Sequence, residues 1–383
     1  MPCSEEGQIS GRGELTTIAD LGEFGLIAAI TARFPQGPAA LVGPGDDAAV
    51  VAAPDRRLVA TTDLLVEGRH FRRDWSGPAD IGVKAAARNL ADVAAMGAVP
   101  VALLVGLAAP GDLPAAWVTE LASGIAQECA GTGAIVAGGD VSSAETIMIA
   151  VTALGDLAGR DPVTRSGARP GDVLAVAGVL GHSAAGQALL AAGLAPDQAP
   201  QTDRVPADQV PQTGQVPQTD PGRRAEPAPH AAAERRADLA ALVAAYRRPR
   251  PRYRAGPEAA VLGATSLIDV SDGLVADTGH LARASGVLID LDTALLTGPG
   301  GPGGAAALRT AAAVLTEAVA SPDGTDLLGW VLTGGEDHAL AATFPPATVL
   351  PPHWVVAGRV GDGEGVRVDG RPSAGNGGWD HFR

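Results

Sequence analysis

The carboxylates best suited to chemistry in this chain share one context, because most of them follow a predicted strand or a glycine-containing turn. Asp46 and Asp47 follow Gly-Pro-Gly, where two adjacent negative charges need either a solvated turn or a neutralising cation. Asp92 is the exception, because it falls on a predicted helix. The same context recurs at Asp63, Asp140, Asp269, Asp272, Glu336 and Asp337. Both a set of ordinary turns and a cation-binding site are compatible with this pattern.

The neighbours of these carboxylates favour a hard cation over zinc. Mg²⁺ takes oxygen ligands, and Thr61, Thr62 and Ser271 add hydroxyl or carbonyl oxygens beside the acidic residues. Zinc requires histidine or cysteine, and none of these carboxylates has a cysteine or a histidine pair nearby in sequence. Each motif alone is typical of a turn. The number of these motifs therefore favours a magnesium site, but their spacing in the sequence does not show whether the motifs come together in the folded protein.

The common nucleotide-binding and nucleophile motifs are missing from the sequence. It contains neither the P-loop pattern GxxxxGK[ST] nor GxGxxG after a predicted strand, and it has no GxSxG motif. Phosphoryl transfer by such a chain would have to depend on metal ions.

Composition excludes several other classes of function. The chain has 383 residues and a formal net charge of −15, which argues against nucleic acid or an anionic membrane as a partner. Its two cysteines provide neither a disulfide framework nor a zinc cluster. The first thirty residues include five acidic side chains and predict no secretory signal, and no apolar run reaches the ~20 residues of a membrane span. A cytoplasmic protein is expected.

Alternating strands and helices must position the acidic residues of the first half. The pattern predicts an α/β or α+β domain over 1–160. Its helices are predicted at 20–33, 79–97 and 114–130, and its strands at 48–53, 57–63, 99–108, 134–138 and 146–155.

A second α/β domain is predicted over 161–383, and a disordered insertion is predicted within it at 195–230, where Pro-Gln-Thr recurs. It opens with a strand segment at 171–181 and a helix at 182–194. After the insertion we expect helices at 231–246 and 305–320, strand–turn–helix at 265–286, a strand at 287–296, and β structure at 330–344 and 354–361.

Read together, the motifs resemble the thiamine-monophosphate kinases of the aminoimidazole-ribonucleotide-synthetase-like (PurM-like) superfamily. The matching stretches are "GPGDDAAV", "TTDLLVEGRHF", "KAAARNLADVAAMGA", "GGD", "VTALG", "TRSGARPGD", "IDVSDGL", "GGEDHAL" and the terminal "GWDHF". The Asp motifs occur throughout the superfamily, whereas "GGED" with the terminal "DHF" points to the kinases. The resemblance implies two domains, a homodimer formed through the N-terminal sheets, and ATP-dependent phosphorylation of thiamine monophosphate with several Mg²⁺ ions.

The resemblance also implies roles for individual residues. The Mg²⁺ ligands would be Asp47, Thr61, Thr62, Asp63, Asp92, Asp140, Asp269 and Asp272. ATP would contact Gly139, Asp140, Arg165 and Ser271. Thiamine monophosphate would contact His70, Glu336 and Trp379. No residue would act as a covalent nucleophile, because the acceptor is the phosphate of the substrate.

Some of these roles have structural alternatives. Trp379 could stack on the thiazolium ring or anchor the C-terminus, and His70 could cap a turn instead of meeting the substrate. Glu336 could balance the thiazolium charge or bind the aminopyrimidine. Lys84, the only lysine, and Arg88 precede Asp92 on the same predicted helix. Contact with a phosphate or a carboxylate is one hypothesis for both, and a solvated helix face is the expectation.

Two other functions are compatible with the motifs. One is another PurM-like ATP-dependent synthetase, although no reactive cysteine lies in a glycine-rich N-terminal loop, as a selenophosphate synthetase would require. The other is a non-catalytic scaffold that binds nucleotide or thiamine phosphate and docks through the insertion. The intact carboxylates argue against the scaffold.

Overall fold

The computed structural model describes residues 40–42, 49–53, 56–196, 229–304, 306–318 and 326–373. Two sheets dominate this part of the chain. Asp47, Trp379, most of the 195–230 insertion and the predicted helix at 20–33 lie outside the described residues.

The first sheet has six strands in the order β1-β2-β3-β6-β4-β5. Neighbouring strands run antiparallel except β4 and β5, which are parallel. The strands are β1 Ala40–Val42, β2 Ala49–Ala53, β3 Arg56–Val66, β4 Val99–Ala109, β5 Ile135–Ser143 and β6 Met148–Asp156.

Two long helices cover one face of this sheet, α1 (Pro78–Ala95) and α2 (Ala115–Thr132). Helix α1 begins at Pro78, whose fixed φ and missing N–H suit the first helical position. A core of aliphatic side chains fills the space between the helices and the sheet, with Val59, Leu103 and Val151 fully buried.

The second sheet has seven strands in the order β13-β12-β9-β11-β7-β10-β8. Its pairs are antiparallel except β12 with β9. The strands are β7 Val173–Ala177, β8 Ser266–Val270, β9 Leu288–Leu291, β10 Ala339–Phe344, β11 Trp354–Gly361, β12 Gly365–Val368 and β13 Arg371–Pro372.

Seven helices accompany the second sheet in the described residues: α3 His182–Ala191, α4 Pro229–Arg247, α5 Ala255–Leu262, α6 Leu274–Ser285, α7 Thr293–Thr297, α8 Ala306–Ala318 and α9 Leu327–Thr333. Helix α1 contacts both sheets, because it also packs against β8 and β10. Its side chains are consequently buried on almost every side.

The two sheets confirm the mixed α/β class. Two local predictions were wrong. Residues 293–297 form α7 instead of continuing a strand, because Asp292 accepts hydrogen bonds from the backbone of Ala294 and Leu295 and caps a helix. Residues 327–333 form α9 in the same way behind Asp326. The division into domains at 160 remains a prediction, and none of the described helices is long and apolar enough to cross a membrane.

Candidate active site

Strand β3 presents Thr61, Thr62 and Asp63 to two different surfaces. Side chains alternate along a strand, so Thr61 and Asp63 face α1 while Thr62 faces away from it. The Thr61 hydroxyl donates to a carboxylate oxygen of Asp92 on α1, at 2.9 Å. Thr62 instead donates to the carbonyl of Val151 and stays exposed. Of the three, Thr61 and Asp63 therefore share a surface with Asp92.

Arg88 connects this group to the second sheet. Its Nε donates to Asp63 at 3.0 Å, and its Nη1 donates to Oε1 of Glu336 at 2.7 Å. Lys84, one turn earlier on α1, places Nζ 2.9 Å from the other Glu336 oxygen, Oε2. One helix therefore presents two cations to the two oxygens of a single carboxylate.

The expected solvated position of Lys84 and Arg88 was wrong. Lys84 is only 2% exposed and Arg88 8% exposed, because α1 lies between the two sheets. A sequence signal for this cluster existed: Lys84, Arg88 and Asp92 recur every four residues and so share one face of the helix. The abundance of alanine around them obscured which face was buried.

Tyr246 of α4 completes the surroundings of Lys84. The Nζ atom lies 4.0 Å from the centroid of the tyrosine ring, within the range of a cation–π interaction. Trp75 packs edge-on against the same ring at 6.0 Å, and Arg72 lies over Trp75. This contact ties the segment that carries His70 to α4.

The charges around Glu336 determine its ionisation. Burial opposes a negative charge there, but Arg88 and Lys84 outweigh burial and hold the pKa of Glu336 below its ordinary value. Burial lowers the pKa of Lys84, and the Glu336 charge opposes that effect. The pKa of Arg88 is raised, because Glu336 and Asp63 together overcome its burial. Glu336 is therefore an ionised hydrogen-bond acceptor at neutral pH.

Two loops at the end of the second sheet bring Glu336 next to the "IDVSDG" motif. The backbone N–H of Glu336 donates to the carbonyl of Ser271 at 2.7 Å. A Cβ atom on Gly335 would lie 2.5 Å from that carbonyl oxygen, so only glycine permits this approach. Glu336 itself has φ of 67°, a left-handed conformation that is unfavourable for residues other than glycine. The fold therefore maintains a strained backbone at the residue that carries the carboxylate.

Asp269 and Asp272 lie in the same motif but in different surroundings. Asp269, on β8, is 2% exposed and lies 3.1 Å from Nδ1 of His338. The backbone N–H of Asp272, after the strand, donates to the carboxylate of Asp277, which also accepts the backbone N–H of Gly273 just before α6. Asp272 is partly exposed.

Gly139 and Asp140 lie apart from this group in the described chain. The strand register pairs Asp63 with Val151, Val151 with Val105, and Val105 with Gly139, so these four residues form one row across the sheet. Gly139 is three strands away from Asp63, which corresponds to about 14 Å. Asp140 therefore faces the opposite side from Asp63. Both residues are exposed, as is the whole of the edge strand β5.

Arg165 and His70 occupy loops. The carbonyl of Arg165 accepts a hydrogen bond from Ser285 at the end of α6. Burial, together with the charges of Arg165 and Arg283, lowers the pKa of His280 to about 4, so Arg165 lies beside α6. His70 Nδ1 accepts the backbone N–H of Val66 at 3.0 Å and closes the turn after β3.

The donor chemistry fits magnesium. Thr61, Asp63 and Asp92 supply only oxygen donors, as Mg²⁺ requires, and no soft ligand is among them. Within the described ranges, however, no three Asp, Glu, His or Cys side chains form a group that could hold a metal ion. The guanidinium of Arg88 lies between the carboxylates of Asp63 and Glu336 and donates a hydrogen bond to each of them.

Comparison with known proteins identifies relatives over nearly the whole chain. Residues 45–157 match the family described as AIR synthase related protein, N-terminal domain. A thiamine-monophosphate kinase of Mycobacterium tuberculosis is 43% identical over 370 residues, which cover 96% of this chain and 94% of that protein. One of Corynebacterium glutamicum is 39% identical over 85% of this chain and 83% of the relative.

Solved structures agree. "AaThiL complexed with AMPPCP and TMP" has a TM-score of 0.74 and 31% identity, and covers 96% of this chain and 99% of its own. Thiamine monophosphate kinase from Aquifex aeolicus has a TM-score of 0.70 and 30% identity over 94% of this chain and all of that one. The hydrogenase maturation protein HypE, at 17% identity and a TM-score of 0.54, shares the fold alone.

Proposed function

The chain belongs to the thiamine-monophosphate kinase family, and we propose that it transfers the terminal phosphoryl group of ATP to thiamine monophosphate, which yields thiamine diphosphate. The single observation that best supports this activity is the Asp63–Arg88–Glu336 connection. Arg88 donates to Asp63 at 3.0 Å and to Glu336 at 2.7 Å. The Asp63 carboxylate is suited to cation binding, and the Glu336 carboxylate is suited to a substrate that bears an amino group.

The acceptor needs no general base. A phosphate monoester has its second pKa near ~6, so the phosphate of thiamine monophosphate is largely dianionic at neutral pH and is itself the nucleophile. The P–O bond to ADP breaks as the new P–O bond forms, in line, and ADP leaves with the electron pair. The requirement on the protein is to hold two polyanions in line and to balance their charge.

Magnesium supplies charge neutralisation and orientation of the phosphates when it is bound. Thr61, Asp63 and Asp92 would hold it from the helix-facing side of the first sheet. The family resemblance adds Asp47, Thr62, Asp140, Asp269 and Asp272 to the ligands. Gly139, Asp140, Arg165 and Ser271 would contact ATP.

On the side of the acceptor, Glu336, His70 and Trp379 would contact thiamine monophosphate. Glu336 is suited to this role because its side chain is 29% exposed although both oxygens meet cations. His70 lies in the segment that Trp75 ties to α4 through Tyr246. Trp379 rests on the resemblance alone.

A homodimer would cover the outer face of the first sheet. Leu64, Leu104, Ile135 and Met148 all point away from the helices on this face, and each of them is at least 36% exposed. Exposed apolar surface of this kind marks an interaction site. A second copy of the chain is the occupant that we propose, because the family resemblance implies a homodimer formed through the N-terminal sheets. We place the enzyme in the cytoplasm.

Product formation from ATP and thiamine monophosphate, measured with and without Mg²⁺, tests the proposal. Wild type should form thiamine diphosphate only with Mg²⁺, and Asp92→Asn should reduce kcat/KM by about 10²-fold or more because one cation ligand loses its charge. Asp161→Asn is the matched control, since Asp161 is 95% exposed and forms a surface ion pair with Arg57. Folded wild type that binds thiamine monophosphate but forms no product would instead indicate a scaffold.

A further inference from the structure

Lys84 combines three observations that its place on an alanine-rich helix does not explain. It is the only lysine among the 28 basic residues. Its ammonium group is buried, 2.9 Å from Oε2 of Glu336 and 4.0 Å from the ring of Tyr246. Among the described residues, Glu336 is the only acidic side chain within ion-pair distance of this ammonium group. The contact is a buried ion pair between an ammonium group and one oxygen of a single carboxylate.

Stability alone does not account for this arrangement. A buried ion pair contributes less than well-packed apolar side chains of the same volume, because both charges lose their hydration. A methionine at position 84 would fill the space over Tyr246 without that cost. Glu336 adds a further cost through its left-handed backbone. Costs of this kind accumulate at functional sites.

The local charge balance distinguishes between the two partners that Glu336 could have in the substrate. Lys84 and Arg88 carry two positive charges, and Glu336 and Asp63 carry two negative charges. Each oxygen of Glu336 already faces a cation, so its negative charge is balanced before a substrate binds and is not left for the thiazolium ring. An ionised carboxylate accepts hydrogen bonds and cannot donate them. Its partner in thiamine monophosphate must therefore be an N–H donor, and the amino group of the pyrimidine is one.

We propose that Lys84 is a positioning residue that orients Glu336 as a hydrogen-bond acceptor for the pyrimidine amino group and thereby sets the preference for an amino over an oxo substituent at that carbon. This inference rests on the proposed kinase activity. Arg88 holds the second oxygen but also serves Asp63, so Lys84 is the cation dedicated to Glu336. The compact ammonium fits between the carboxylate and the ring, where the planar fork of an arginine would demand two aligned acceptors.

The test compares two substrates, thiamine monophosphate and its analogue with an oxo group in place of the pyrimidine amino group. Wild type should prefer the amino substrate by at least about 10²-fold in kcat/KM, because the oxo group places an acceptor against an acceptor. In Lys84→Met we expect KM for thiamine monophosphate to rise about tenfold, kcat to stay within about threefold, and the preference to fall about tenfold. Arg235→Met, which breaks an exposed pair with Glu317, is the control and should match wild type.

The outcomes separate this inference from the function on which it rests. A Lys84→Met enzyme that keeps the wild-type KM and preference within twofold would overturn the role of Lys84, even if its melting temperature falls, because that result describes structural packing only. If Lys84→Met does not fold, Lys84→Gln keeps a polar atom at the site and gives the same comparison. No product from folded wild type would overturn the proposed kinase activity and this inference with it.

Discussion

Arg88 and Glu336 are 248 positions apart in the sequence, yet Nη1 of Arg88 donates to Oε1 of Glu336 at 2.7 Å. The same guanidinium donates to Asp63 on the first sheet at 3.0 Å. A planar group with several fixed donors can hold two carboxylates at once, which an ammonium cannot do with the same geometry. The relative position of Asp63 and Glu336 therefore depends on one side chain.

Replacing Arg88 with methionine should destabilise the protein by about 2 kcal/mol. Breaking a buried ion pair costs about 3–5 kcal/mol, but Asp63 and Glu336 each keep roughly a third of their side chain in solvent, which reduces the cost. Urea denaturation of both proteins measures the difference. Arg57→Met, which removes an exposed pair with Asp161, should stay within about 0.5 kcal/mol of wild type. Equal stabilities for wild type and Arg88→Met would contradict the bridging role.

Glu336 should make stability depend on pH on the acidic side. Its pKa in the folded protein lies below the ordinary value of 4.5, since Arg88 and Lys84 outweigh burial. The folded state therefore binds fewer protons than the unfolded state in this range. The ion-pair contribution is fully present above 4.5 and is lost as the pH falls from there towards the folded-state pKa.

Glu336→Gln should accordingly show a flatter dependence of the unfolding free energy on pH below 4.5 than wild type. Denaturation titrations across this range measure the two slopes. Glu317→Gln removes an exposed carboxylate paired with Arg235 and serves as control, with a slope close to that of wild type. Parallel curves for wild type and Glu336→Gln would show that the carboxylate is not stabilised by its two cations.

Gly335→Ala should lower activity by displacing Glu336. The new Cβ would lie 2.5 Å from the carbonyl oxygen of Ser271, so the two loops would have to separate. A displacement of about 1 Å in a site can reduce kcat/KM by about 10²-fold. Gly361→Ala is the control, because no atom lies within 4 Å of a Cβ atom at that position. Wild-type kcat/KM in Gly335→Ala would indicate that the site tolerates separation of the loops.

Leu104→Glu should dissociate the proposed homodimer. Leu104 is 42% exposed on the outer face of the first sheet, and a charge there could not be buried against a second copy. Light scattering coupled to size-exclusion chromatography should give twice the 38.2 kDa chain mass for wild type and the chain mass for the variant. Val261→Glu places the same charge on α5, at a residue that is 73% exposed, and should remain dimeric. A monomeric wild type would reject the interface.

The sequence by itself determined the elements and the kind of chemistry. Alternating apolar residues located β3 and β6 to within a few residues, and the helical pattern located α1. The short motifs around Asp63, Asp140, Asp269 and Glu336 were sufficient to identify the family. These signals are local, and each can be recognised within about ten residues.

The tertiary structure alone decided which of these residues meet. Capping by Asp292 and Asp326 is the exception, because it is a local signal: it turned two predicted β segments into helices, and apolar periodicity does not reveal it. Strand alternation and register placed Asp63 and Asp140 on opposite faces of one sheet. The burial of Lys84 and Arg88 depends on the second sheet packing against a helix far away in sequence. Such contacts follow from the three-dimensional path of the chain, so no local pattern encodes them.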